Sequence, residues 1–192
     1  MNNTNLLWLL LPFAFQCTID RSIPVLTERE WIQLEAYKSL QESSKLQIAD
    51  DTETGQRLLL CLTFVSAQND APLRNQAVLL YHTTDSGEYE PRDPEDESTA
   101  RLSGEVVTNE DGKVFIQTIL PGDYGSASDN RHIHTTVKAT DPEAYDIHFS
   151  QYISAMGRRF VKGSDQHFLA DLKKASDNTL ITFLTIKVKN TI

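Results

Sequence analysis

Residues 104–124 read GEVVTNEDGKVFIQTILPGDY, and the fold is read outward from them. LSGEVVT (102–108) and KVFIQTIL (113–120) are strand-like, rich in β-branched and apolar side chains. Between them, Asn109-Glu110-Asp111-Gly112 is a hairpin turn, because Asp-Gly readily takes the positive φ such turns need. Pro121-Gly122 marks the next turn. Beyond it, HIHTTVKA (132–139) alternates polar and apolar residues as a half-buried strand does. Upstream, LLLCLTFV (58–65) is dense enough for a buried strand, and AVLLYHT (77–83) is another. LITFLTIKV (180–188) is a further strand, and FLADLKK (168–174) fits a strand or a short helical turn. Short strands separated by turn signals predict an all-β fold, an antiparallel β-sandwich. One short N-terminal helix is expected over about 28–42, opened by the capping box Thr27-Glu28-Arg29-Glu30.

The chain has 192 residues, enough for one domain with its own core. A net charge of −9 leaves no basic stripe to neutralise phosphates, which excludes nucleic acid as a partner. Two cysteines, Cys17 and Cys61, cannot build a disulfide scaffold, and Cys61 within LLLCLTF reads as a small buried hydrophobe. Residues 6–15, LLWLLLPFAF, are too short to span a bilayer and match a signal-peptide core. Cys17, after Gln16, resembles the lipid-acceptor cysteine of bacterial lipoproteins. The expected organisation is an export segment over 1–17, an extension over 18–55 and the sandwich over 56–192. The expected location is periplasmic or membrane-anchored through lipidated Cys17, with the cytoplasm as the alternative.

Three pieces can carry chemistry: Gly87-Glu88-Tyr89, Pro121-Gly122-Asp123-Tyr124 and His132-Ile133-His134. On a strand, His132 and His134 point to one face and can share a metal. Tyrosine binds poorly at neutral pH because its ordinary pKa is about 10. A highly charged cation can hold the phenolate, and that hard anionic oxygen suits Fe(III). Two tyrosines and two histidines are therefore a sensible ferric donor set, although periodicity alone does not bring them together. His82 reads as a satisfied sheet histidine, and His148 and His167 as isolated loop residues.

In this order, Gly87-Glu88-Tyr89, Asp111-Gly112, Pro121-Gly122-Asp123-Tyr124 and His132-Ile133-His134 resemble the core of intradiol ring-cleavage dioxygenases, over about residues 58–137. The resemblance implies that Tyr89, Tyr124, His132 and His134 bind Fe(III). It implies that a catechol-type diol binds as its dianion, with Tyr124 accepting a substrate proton. O2 then opens the ring between the hydroxyl-bearing carbons to a muconate-type diacid. The family's Arg-Pro-x ahead of H-x-H is here Asp129, Asn130 and Arg131, so Arg131 is the expected stabiliser of developing charge, with Arg158 or Arg159 as substitutes. The loop over 83–99 holds seven acidic residues and one Arg, which favours neutral catechols over carboxylated ones. The alternative is a non-catalytic binding or carrier module of the transthyretin or carboxypeptidase-regulatory type, which shares the turn motif and uses its tyrosine for packing.

Overall fold

The computed structural model describes residues 22–125 and 128–189. The apolar run over 6–15 and Cys17 lie outside them. Among the described residues no helix is long and apolar enough to cross a membrane.

Helix α1 (Glu28–Lys38) starts at the expected capping box: the Glu30 amide donates to Thr27 Oγ1 at 3.3 Å, and the Thr27 amide to Glu30 Oε2 at 2.8 Å. Then follow β1 (Lys45–Gln47), β2 (Arg57–Ser66), β3 (Ala77–His82), β4 (Leu102–Val107), β5 (Lys113–Ile119), β6 (His132–Val137) and β7 (Ala144–Phe149). Helix α2 (Ala155–Lys162), β8 (His167–Ala170), β9 (Lys173–Lys174) and β10 (Leu180–Val188) complete the chain. The strands form two five-stranded sheets, ordered β1-β5-β2-β10-β9 and β4-β3-β6-β7-β8. They enclose one core of residues such as Leu60, Phe64, Leu80, Ile116, Ile133, Ile147 and Ile186.

The sandwich is as read, but its sheets are mixed rather than wholly antiparallel. β1 with β5, β2 with β10 and β7 with β8 run parallel. The dense run in β2 has a direct cause. Leu58, Leu60, Leu62 and Phe64 face the other sheet, while Cys61 faces α1 with Leu34, Tyr37 and Ile181. A strand covered on both faces loses its alternation. Tyr37 Oη lies 2.6 Å from Thr63 Oγ1, so the helix is tied down by a polar contact as well. Burial pushes the Cys61 thiol well above its usual range, as expected for an inert packed thiol. β1, from the segment read as an extension, is an edge strand of the first sheet.

Besides β1, two further elements differ from the sequence reading. β7 carries a period-two pattern, with Tyr145, Ile147 and Phe149 buried in the core. α2 is capped by Ser154, whose hydroxyl accepts from the Gly157 amide at 3.1 Å, and ends at Gly163. The stretch 168–174 contains most of β8 and all of β9, with Asp171 and Leu172 between them, rather than a helical turn.

Candidate metal centre

The second sheet's outer face carries a row of polar side chains across four strands. Tyr81 on β3 pairs in register with His134 on β6, His134 with Asp146 on β7, and Asp146 with His167 on β8. His132 pairs with His148 one step along the same face. Alternation on β6 sends Ile133, Thr135 and Val137 inward and leaves both histidines outward.

Tyr89 reaches this row from the loop between β3 and β4. Its Oη lies 2.8 Å from His134 Nε2, and His132 Nε2 lies 3.0 Å from the same nitrogen. Tyr81 stacks on the His134 ring at 4.6 Å between centroids. His132 Nδ1 is 2.8 Å from the Asn130 carbonyl, and His134 Nδ1 is 2.7 Å from Asp146 Oδ1. A carbonyl and a carboxylate only accept, so each Nδ1 carries the proton and, in the neutral rings, each Nε2 presents its lone pair. The neutral Tyr89 phenol then donates to the His134 Nε2 lone pair, while the His132 Nε2 lone pair faces the same nitrogen at 3.0 Å with no proton between them. A cation that replaces the phenol proton can be shared by all three atoms. Burial lowers the His132 pKa, which keeps this ring neutral. The carboxylate behind His134 is the usual support for a metal-binding imidazole. Asp146 is pushed up by burial, but the His134 hydrogen bond and the neighbouring imidazoles outweigh this and hold its pKa low.

The glycines of the two tyrosine motifs are explained by close approach. Gly87 has φ +90°, and a Cβ there would sit 2.1 Å from the Asp123 carbonyl oxygen. A Cβ on Gly122 would sit 2.4 Å from the Asp85 oxygen and 2.5 Å from the Gly87 nitrogen. The two loops therefore meet backbone to backbone, and the Thr84 carbonyl accepts from both the Gly122 amide (2.8 Å) and the Gly87 amide (3.1 Å). This contact brings the Tyr89 and Tyr124 rings to 5.2 Å between centroids. The Tyr89 carbonyl is further pinned by the Arg101 amide at 3.1 Å.

Residues 33–191 match a family model described as Dioxygenase. The chain belongs to the intradiol ring-cleavage dioxygenase family. Solved structures share the fold at low identity. The dioxygenase domain of a dioxygenase–carbohydrate-binding fusion from the cellulolytic bacterium Streptomyces sp. SirexAA-E superposes with a TM-score of 0.58 at 16% identity, over 79% of this chain and 92% of that one. An intradiol ring-cleavage dioxygenase from Tetranychus urticae gives 0.55 at 20% identity, over 78% and 89%. The 3-chlorocatechol 1,2-dioxygenase of Rhodococcus opacus 1CP gives 0.54 at 15% identity, over 83% and 77%. A comparison with curated protein sequences gives no significant match.

Against the intradiol pattern, Tyr89, His132 and His134 converge, while Tyr124 stands beside them. The Tyr124 hydroxyl donates to Glu97 Oε1 at 3.2 Å, and its side chain is exposed. An exposed ring is not the packing plug expected of a carrier module. The Glu97 charge holds the Tyr124 phenol above its usual pKa, and burial followed by the Glu97 charge does the same more strongly for Tyr89. Neither phenol ionises here without a strongly charged cation. Arg131 gives its Nε to Asp123 Oδ2 at 3.2 Å and lies 4.7 Å over the Tyr152 ring. Arg158 donates to the Ser150 carbonyl at 2.7 Å. Neither guanidinium is directed into the Tyr89–His132–His134 cluster by these contacts.

His82 is a satisfied core histidine, as read. It is fully buried, with Nδ1 2.7 Å from the Thr83 carbonyl and Nε2 2.6 Å from Thr118 Oγ1, a hydrogen bond linking the two sheets. His148 and His167 correct the reading of isolated loop residues: they lie on β7 and β8. The alternation of β7 was the available signal for His148. Nothing local marks His167, which reaches the row only through parallel pairing of β8 with β7.

Proposed function

We propose that this chain is a non-haem Fe(III) enzyme that uses O2 to open the ring of a catechol-type diol between its two hydroxyl-bearing carbons. The convergence of Tyr89 Oη, His134 Nε2 and His132 Nε2 at 2.8 and 3.0 Å, with both Nδ1 atoms committed to acceptors, carries this reading. Neighbouring octahedral ligands at about 2.0–2.1 Å lie roughly 3 Å apart, so the two separations are those of adjacent ligands. Tyr89, His132 and His134 would hold the iron, with Tyr124 as the fourth candidate ligand. Bound there, ferric iron supplies Lewis acidity toward the diol oxygens and a sink for ring electron density that opens the ring to O2.

The protein's own part is positioning and proton handling. Asn130 and Asp146 fix the imidazole tautomers so that both Nε2 atoms face inward. Tyr81 and the buried face of Tyr89 exclude water from one side of the cluster. Tyr124, exposed and beside Tyr89, is a neutral phenol here and would serve as a base only as the phenolate that a bound ferric ion would hold; in that form its Oη would take a proton from a substrate hydroxyl. Glu97 orients that oxygen and remains as a neighbouring proton acceptor. Arg131, paired with Asp123, contributes little net charge, so the acidic loop dominates the rim and neutral catechols should bind better than carboxylated ones.

The test is the absorption spectrum of the iron-loaded protein. A visible phenolate-to-iron band is expected, shifting when catechol is added without oxygen and diminished in Tyr89→Phe. Protein that takes up no ferric iron and shows no such band would refute the reading. Residues 6–17 support export with a lipid anchor; equal detergent-phase partitioning of the full chain and Cys17→Ala would remove it.

A further inference from the structure

Beside the Tyr89–His132–His134 cluster stands a second group of donors, of which His148 and His167 have no part in the dioxygenase reading. We propose that Asp146, His148 and His167 form a separate binding site for a divalent ion of borderline softness, such as Zn(II) or Co(II). One donor atom from each of the three side chains lies within 4.8 Å of the others. His148 Nε2 is 3.1 Å from His167 Nδ1, and His167 Nδ1 is 3.4 Å from Asp146 Oδ2. Four ligands held tetrahedrally at about 2.0–2.1 Å lie roughly 3.3 Å apart, so both separations match edges of a zinc coordination tetrahedron.

The placement has a simple origin. Asp146 and His148 are two apart on β7 and face the same side. His167 is the parallel register partner of Asp146 on β8. The strands therefore hold three ligands before any ion arrives, which limits the entropy lost on binding. Two imidazoles and one carboxylate suit a borderline divalent ion and leave the fourth position to water or a small anion. With one carboxylate as its only anionic oxygen and no phenolate, the set offers less charge to a ferric ion than the first cluster does. His148 also lines a cavity of about 470 Å³ under α2, with Ile153, Met156, Phe160 and Val161, which gives an ion a route in.

The two sites meet in one carboxylate. Asp146 Oδ1 accepts from His134 Nδ1, while Oδ2 faces His167. An ion on the second site draws charge from the carboxylate, so His134 becomes a weaker donor toward the first cluster. Filling the second site should then shift the phenolate-to-iron band to longer wavelength.

The full chain, loaded with Fe(III), is titrated with Zn(II) by calorimetry and by competition with a chromophoric chelator. One tight equivalent is expected. His167→Gln should weaken it at least 100-fold while keeping the iron absorption, and His148→Gln should do the same. Tyr89→Phe, which impairs the first cluster, should keep the zinc equivalent. Unchanged zinc binding in both glutamine variants, or loss of zinc only in Tyr89→Phe, would overturn the proposal; so would wild-type protein that binds zinc no better than millimolar. Melting curves of both glutamine variants separate ligand loss from misfolding. Zinc uptake that persists in a protein taking no iron would leave this site standing and remove the dioxygenase reading alone.

Discussion

Replacing Gly122 by alanine tests how the two tyrosine loops are held together. The added Cβ falls 2.4 Å from the Asp85 oxygen and 2.5 Å from the Gly87 nitrogen, about 1 Å short of ordinary contact. Both obstacles are backbone, so no side chain can swing away, and the loops must separate by roughly that 1 Å. Overpacking of this kind costs about 1–3 kcal/mol. Loosening the two hydrogen bonds on the Thr84 carbonyl adds about 1 kcal/mol each. A total of about 3–5 kcal/mol corresponds to a melting temperature lower by roughly 6–20 °C for a chain of this size. The consequence at the site is larger. Tyr89 follows Gly87 by two residues, and a 1 Å shift takes its oxygen out of reach of His134 Nε2, now at 2.8 Å. Misplacement by 1 Å costs about 100-fold in rate. Gly122→Ala should therefore still fold, with weakened iron uptake, a diminished phenolate-to-iron band and ring cleavage down about 100-fold. Gly125→Ala is the control: a Cβ there meets nothing within 4 Å, and only its φ of +68° is unfavourable, so about 1 kcal/mol of stability is lost and the band is kept. Gly122→Ala protein with wild-type iron absorption and turnover would refute the idea that the glycine contact sets the tyrosine positions.

Other expectations are briefer. Asp146→Asn removes the charged acceptor of His134 Nδ1 and should weaken ferric iron 10- to 100-fold in a chelator competition, with little change in melting temperature; unaltered iron affinity would argue against the carboxylate's support. Tyr124→Phe should retain iron, lose most turnover and show a band altered as expected for one phenolate instead of two; full activity would exclude Tyr124 as the proton acceptor. His82 gives a pH test of the fold. Burial pushes its pKa down to about 4, so the unfolded chain, titrating near 6.5, binds more protons below that pH. This contribution is fully present above pH 6.5 and is lost as the pH falls toward 4. Urea unfolding should therefore show wild type losing about 2 kcal/mol more than His82→Asn between pH 7 and pH 5; equal losses would mean His82 is protonated in the folded state.

Much of the architecture is written in local pattern. The alternation in 132–139 puts His132 and His134 on one face whatever the partner strands are, because the side-chain period of a strand is two. Asp111-Gly112 makes the hairpin, and Thr27 with Glu30 starts the helix, because both depend on backbone groups a few residues away. The spacing of Gly87 to Tyr89 and of Gly122 to Tyr124 likewise announces two tight loops, each ending in a phenol.

Other features depend on which strands become neighbours. The parallel pairing of β10 with β2 joins residues more than a hundred apart, and no pattern within either strand states its direction. His148 and His167 look unremarkable 19 residues apart, and only the β7–β8 register brings their nitrogens to 3.1 Å. Arg131 sits beside His132 in sequence, yet Asp123 and Tyr152 hold its guanidinium. The Tyr124 hydroxyl goes to Glu97 rather than to the histidines. Strand faces, tight turns and the kinds of donor atom on offer are thus legible locally, since they follow from backbone period and side-chain chemistry. Which donors meet, and what backs each one, is set by register, strand direction and loop docking, which depend on contacts between residues far apart in the chain.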